Sequence, residues 1–110
     1  VVCTDEPTAL TDADAFVKLM VMQYPKCRIG IVVNQADTVR EGRQTYDILL
    51  KACQTFLKVS PTLLGIVRRD ARVRDAIRNQ MPLLSRYPTS EAAADVVEIA
   101  RRILQEEKNV

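Results

Sequence analysis

The sequence predicts an α/β fold with three parallel strands and about four helices. Three short apolar runs, Val1–Thr4, Ile29–Asn34 and Leu63–Val67, are aliphatic or β-branched and do not alternate with polar residues. Runs of that kind suit strands buried on both faces of a sheet. Between them lie segments whose apolar residues recur at three and four positions, the helical period. The third observation is the order of these segments, β-α-β-α-β followed by helices. It requires parallel strands joined by right-handed crossovers.

The first run ends in the polar loop Thr4–Thr11, and a helix follows with Leu10, Ala13, Phe16, Val17, Met20 and Val21 inward. Tyr24-Pro25 closes it. The second run leads through Asn34–Arg40 to a helix with Tyr46, Leu49, Leu50, Cys53, Phe56 and Leu57 inward, and Pro61 falls just beyond its end. After the third run Asp70 can cap a short helix covering Val73 and Ile77. Asn79-Gln80-Met81-Pro82 stops it, and Leu83–Pro88 reads as irregular. Thr89 or Ser90 caps the last helix, with Ala93, Val96, Val97, Ala100, Ile103 and Leu104 inward and a solvated end at 105–109. A strand at residue 1 with no turn before it leads us to expect that a portion of the fold precedes Val1. The Val1–Thr4 strand would then be an unpaired edge, frayed, covered by another chain or paired with a second copy.

At 110 residues the chain is one domain or part of one, and no linker or repeat divides it. A chain of this size buries roughly 65% of its unfolded surface if it folds alone. Its net charge of +2 is too small to call for a polyanionic partner. No apolar run reaches the roughly 18 residues that span a bilayer. Cys3, Cys27 and Cys53 are widely spaced, without a CxxC pair, and His is absent. They read as reduced, mostly buried thiols of a cytosolic protein, and no metal site is expected.

Ligands of open α/β sheets bind outside the carboxyl ends of the strands. That edge is made by Thr4–Thr11, Asn34–Arg40 and Arg68–Arg72, the most polar segments of the chain. With only Gly30, Gly42 and Gly65 present, neither GxxxxGK[ST] nor GxGxxG occurs, so these residues encode no phosphate cradle. Asn34 carries a donor and an acceptor and can pair with a purine edge, or it can simply end the strand in a turn. Asp12 and Asp14 read as first-turn residues that stabilise the helix dipole. Glu6 is either a functional carboxylate or a solvated loop residue. Arg68, Arg69, Arg72, Arg74 and Arg78 form a basic cluster without interleaved aromatics. It reads as a solvated face, or as a protein or phosphate contact, before a nucleic-acid one.

Taken together, the segments resemble a known family. Cys3–Ala13, with its TDEPTALTDA core, is similar to the post-strand segment of MinD/ParA-class P-loop ATPases, in the form found in the FlhG/FleN-like regulators of flagellar number. Ile31–Gln35, Glu41-Gly42 with Thr45-Tyr46 and Phe56-Leu57, and Leu64–Asp70 with Val73-Arg74 and Ala76-Ile77 resemble the following elements. Gln80–Leu84 and Tyr87–Ala93 complete the match, which covers nearly the whole chain.

The resemblance implies that residues 1–110 are the C-terminal portion of a single MinD-like ATPase domain, half of a three-layer parallel sheet. Asn34 would read adenine, with Gln35 beside it, and Val67, Arg68, Arg69 and Asp70 would line the pocket largely through backbone. Many relatives have Pro at the position of Arg68, so the turn's geometry is open there. Glu6 and Asp12 would lie near the P-loop and dimer face. The full-length protein would bind ATP or ADP with Mg, hydrolyse ATP and dimerise around it. It would exchange partners, a flagellar GTPase or regulator among them. This chain, lacking the P-loop, is expected to be inactive alone and to hold no cofactor tightly. The resemblance implies a cytoplasmic protein, with peripheral attachment at the inner membrane open for the full-length form. The last helix shows no amphipathic membrane-binding pattern. The alternatives are a ParA-type partition ATPase and a non-catalytic protein-interaction module using the Arg68–Arg78 face.

Overall fold

A computed structural model describes residues 1–108. Three parallel strands, β1 (Val2–Cys3), β2 (Gly30–Ala36) and β3 (Thr62–Arg68), form one sheet in the order β1-β2-β3. The helices are α1 (Pro7–Gln23), α2 (Val39–Ala52), α3 (Ala71–Arg78), α4 (Leu83–Arg86) and α5 (Glu91–Lys108). The expected α/β class and parallel topology are present, with five helices where about four were expected.

Neighbouring residues of β3 show how the layers are built. A Cβ on Gly42 of α2 would meet Ile66 Cγ2, while one on Gly65 would meet Ile99 Cγ1 of α5. Successive strand residues face opposite sides, so α2 and α5 sandwich the sheet. On the α2 side Cys3, Ile31 and Val33 pack with Ala13 and Val17 of α1 and with Tyr46, Leu49 and Cys53. The Tyr46 hydroxyl donates to Pro61 O across this layer. On the other side α5 packs mainly on β3, and Arg102 Nη1 donates to Leu63 O at 2.9 Å.

That partial cover explains several side chains that periodicity placed inside. Val96, Ile103 and Leu104 are exposed because α5 packs chiefly on the third strand. Phe16 borders a hollow beside the free edge of β1 with Val1, Val2, Ala9, Asp12 and Ala13. Phe56 is 78% exposed because α2 passes into a π turn at Cys53–Leu57. The wider turn throws position 56 off the buried stripe, while Leu57 stays half-buried.

Helix ends also differ from expectation. α1 begins at Pro7, where a residue lacking an N–H is suited to the first turn, and Glu6 is the N-cap. Asp12 and Asp14 therefore lie beyond the first turn, and the dipole reading of them fails. Asp14 is half-buried, and its Oδ1 has no hydrogen-bond partner. The stretch expected to be irregular contains α4, a single turn begun by Ser85 N and Arg86 N donating to Pro82 O. Asp70 and Ser90 cap α3 and α5 as expected, accepting from Arg72 N at 2.9 Å and Ala93 N at 3.2 Å. Gln105 and Glu106 are exposed, and Asn109 lies outside the described residues. No helix among the described residues is long and apolar enough to cross a membrane.

Candidate nucleotide-base site

The carboxyl ends of β2 and β3 do not run level. Val33 pairs with Ile66 and Ala36 with Arg68, so Asn34 and Gln35 together oppose the single residue Val67. This is a β-bulge, uncommon in parallel sheets and a device that re-aims side chains. Gln35 sits at φ 56°, in the left-handed region that non-glycine residues rarely occupy. Its N–H donates to Asn34 Oδ1 at 2.9 Å. The strands close again below the bulge, where Arg69 N donates to Ala36 O at 2.7 Å.

The turn after β3 is fixed from two sides. Arg68 N donates to Asp95 Oδ2 at 2.9 Å, and the guanidinium grips the same carboxylate through Nε at 3.0 Å and Nη2 at 3.1 Å. Glu91 lies 3.6 Å from the guanidinium. The hydrogen bond to Asp95 raises the Arg68 pKa further. Asp70 accepts from Arg72 N through Oδ1 and, at 3.2 Å, from Ala92 N through Oδ2. Those bonds, led by the Arg72 amide, hold its carboxyl below the usual range. β3, α3 and α5 thus converge on one turn. Arg69 reaches the other way, to Asp37 at 3.1 Å, in an exposed pair.

Between bulge and turn lies an open cavity of about 310 Å³ lined by Asn34, Gln35, Val67, Arg68, Arg69, Asp70, Val73, Arg74 and Ile77. The geometry brings together all six residues that the sequence marked on this edge. Arg68 contributes as wall only, because its N–H and guanidinium are occupied by Asp95. Glu6 and Asp12 do not join them. Glu6 is exposed at the start of α1, and Asp12 borders the separate hollow beside β1. Val73, Arg74 and Ile77 were not marked as site residues. Lying three, four and seven positions after the Asp70 cap, they share one face of α3, and that was the available signal.

The cavity combines an amide, an apolar floor and positive charge. Asn34 offers an amide with donor and acceptor, and the exposed Ile77 and half-buried Val73 give an apolar floor. Arg69 and Arg74 line the cavity, and Arg72, Arg74 and Arg78 have no acidic partner within 4.0 Å among the described residues. The nearby Asp75 is engaged by the Tyr87 hydroxyl and by Arg86 Nε.

No protein-family model matches the chain. Individual proteins do. The antiactivator FleN of Pseudomonas aeruginosa is 33% identical over 103 residues, which is 94% of this chain and 36% of FleN. An ATP-binding protein of Methanocaldococcus jannaschii is 31% identical over 104 residues, again 94% of this chain and 36% of the relative. The chain therefore spans little more than a third of the length of these curated relatives. Among solved structures, the cell division ATPase MinD of Pyrococcus furiosus superposes with a TM-score of 0.69 at 19% identity, over 94% of this chain and 40% of MinD. That likeness shows the fold. The chain thus has a MinD-like parallel sheet and resembles, over almost its whole length, part of the FlhG/FleN-like proteins of the MinD/ParA class.

Proposed function

We propose that these residues form the adenine-recognition side of a MinD-like, ATP-binding regulator of flagellar number or placement. One observation carries this reading: the cavity at the ends of β2 and β3, in which the Asn34 amide faces the Val67–Asp70 turn. A purine with an exocyclic amine and a ring nitrogen pairs with an amide bidentately, and Val73 and Ile77 offer it an apolar surface. The similar proteins add support, since one is an ATP-binding protein and another an ATPase. The flagellar role rests on the likeness to FleN, an antiactivator. In the whole protein ATP would be held with Mg and hydrolysed, with a homodimer formed around it. There, phosphoryl transfer depends on positioning and charge stabilisation by parts outside this cavity.

Adenosine and guanosine titrated separately into the isotope-labelled protein test the reading. The expected result is perturbation of the Asn34, Val67–Asp70 and Val73 resonances by adenosine and weaker change with guanosine. Asn34→Ala should lower adenosine affinity by about tenfold, the worth of one good hydrogen-bonded contact. Equal response to both nucleosides, or perturbation elsewhere on the surface, would refute it.

A further inference from the structure

β2 and β3 shift register twice, by an extra residue at Leu64 of β3 and then by the bulge at Asn34–Gln35, which restores the earlier offset. Beyond it Ala36 pairs with Arg68, and Ala36 O still finds Arg69 N. The bulge holds Gln35 in the left-handed region, a conformation costly to any residue with a Cβ. What it yields locally is one contact, Gln35 N to Asn34 Oδ1 at 2.9 Å. That contact fixes the Asn34 amide. One lone pair of Oδ1 is taken, so the carbonyl and NH₂ ends cannot exchange places. The Nδ2 hydrogens and the second Oδ1 lone pair remain for a ligand in the cavity that Asn34 and Gln35 both line.

We infer that Gln35 is a positioning residue: its left-handed backbone, rather than its side chain, presets the Asn34 amide for a base bearing an adjacent donor and acceptor. The inference rests on the adenine reading above and deepens it by naming what sets the direction of the amide. An amide free to flip would accept the reversed donor–acceptor edge of guanine as readily as that of adenine. One held by the Gln35 N–H discriminates between them. Glutamine chemistry is not required, since the side chain is exposed and makes no hydrogen bond among the described residues.

The test is a series at one position, ordered by tolerance of positive φ. Gln35→Gly and Gln35→Asn accept the left-handed region; Gln35→Ala accepts it less well, and Gln35→Val is a true outlier there. Affinities for adenosine and guanosine are measured for each variant, together with the side-chain amide resonances of Asn34, which need no ligand. Gly and Asn variants should keep wild-type adenosine affinity within about twofold and a single, dispersed Asn34 amide pair. The Val variant should lose about tenfold in adenosine affinity and most of its preference over guanosine, with the Asn34 pair moving toward free-amide values. Gln35→Ala, intermediate and milder, serves if Gln35→Val does not fold. A purely structural role would lower stability along the series and leave the base preference untouched, which would overturn the inference. So would a Gly variant that loses affinity as the Val variant does. Should wild-type protein ignore adenosine, the adenine reading fails. The Asn34 resonances along the series then decide alone whether Gln35 orients the amide.

Discussion

Asp70 uses its two carboxylate oxygens on backbone amides of different helices, Arg72 N at the start of α3 and Ala92 N at the start of α5. It is therefore a cap and a clasp at once, and only an ionised carboxylate accepts at both ends. Its carboxyl is held below the usual range first by the Arg72 amide, then by the Ala92 amide and the Arg72 and Arg68 charges. For a group whose folded pKa is depressed, the stabilisation is complete above the unfolded value of about 3.9 and is lost as pH falls through the folded value. Asp70→Asn keeps a good N-cap but turns an NH₂ toward one of the two amides. We expect the variant to be less stable by about 1 kcal/mol at pH 7. The difference should be constant from pH 7 to pH 5 and shrink toward zero in strong acid. Urea unfolding at several pH values measures it; a difference that grows on acidification would contradict the assignment. The cap itself could be read from the sequence, because an Asp between a strand and an apolar-periodic segment has a local explanation. The bond to Ala92, 22 residues away, could not. The same holds for Asp95, which reads as one polar residue of a helix until the fold sets it against Arg68.

The glycines show how elements approach. Gly42 lies inside α2, where Ala would be favoured by helix propensity alone. A Cβ there would sit 2.5 Å from Ile66 Cγ2 and 3.1 Å from Ala36 Cβ, so glycine allows α2 to lie close on β2 and β3. Gly65 does the same for α5, since an added Cβ would fall 2.3 Å from Ile99 Cγ1. Gly65→Ala must push α5 off β3 or drive Ile99 from its rotamer, at a cost of about 1–3 kcal/mol. Because α5 carries Asp95 and Glu91, the shift should also loosen the grip on Arg68 and broaden the resonances of the Val67–Asp70 turn. A folded Gly65→Ala protein with unchanged stability and an unchanged turn would show that α5 is not held by this approach. The β-strands and long helices were legible because period and run length are local properties. Phe56 and Val96 were misplaced for reasons that are not local. A π turn changes the phase of the stripe around Phe56, and the reach of α5 across the sheet decides whether Val96 is covered. Likewise Pro7 already marked the start of α1, but the loop reading of Thr4–Thr11 put Asp12 in a first turn that it does not occupy.

At the scale of the whole molecule, the proposed base site stands without a glycine-built phosphate cradle among the described residues. All three glycines are committed to close packing, Gly30 against Leu64, Gly42 against Ile66 and Gly65 against Ile99, and none has positive φ. A nest of backbone N–H groups around phosphate needs such residues free in a loop. Charge near the cavity comes from the exposed arginine group on and before α3, which acts through solvent and is screened at physiological salt. These 110 residues should therefore bind adenosine, AMP, ADP and ATP with affinities within about tenfold of one another near 0.15 M salt. At low ionic strength the triphosphate should gain, through Arg69, Arg72, Arg74 and Arg78. No Mg-dependent release of phosphate from ATP is expected, because base recognition without a phosphate cradle leaves the reacting groups unpositioned. Calorimetric titration of the four ligands at two salt concentrations, with a phosphate-release assay beside it, checks both statements. A preference for ATP over adenosine above about a hundredfold at physiological salt would mean that the chain builds a phosphate site from residues other than its glycines. The Arg74 and Arg78 face would then be the first place to look, since the acids nearest to it, Asp70 and Asp75, already bond within the fold.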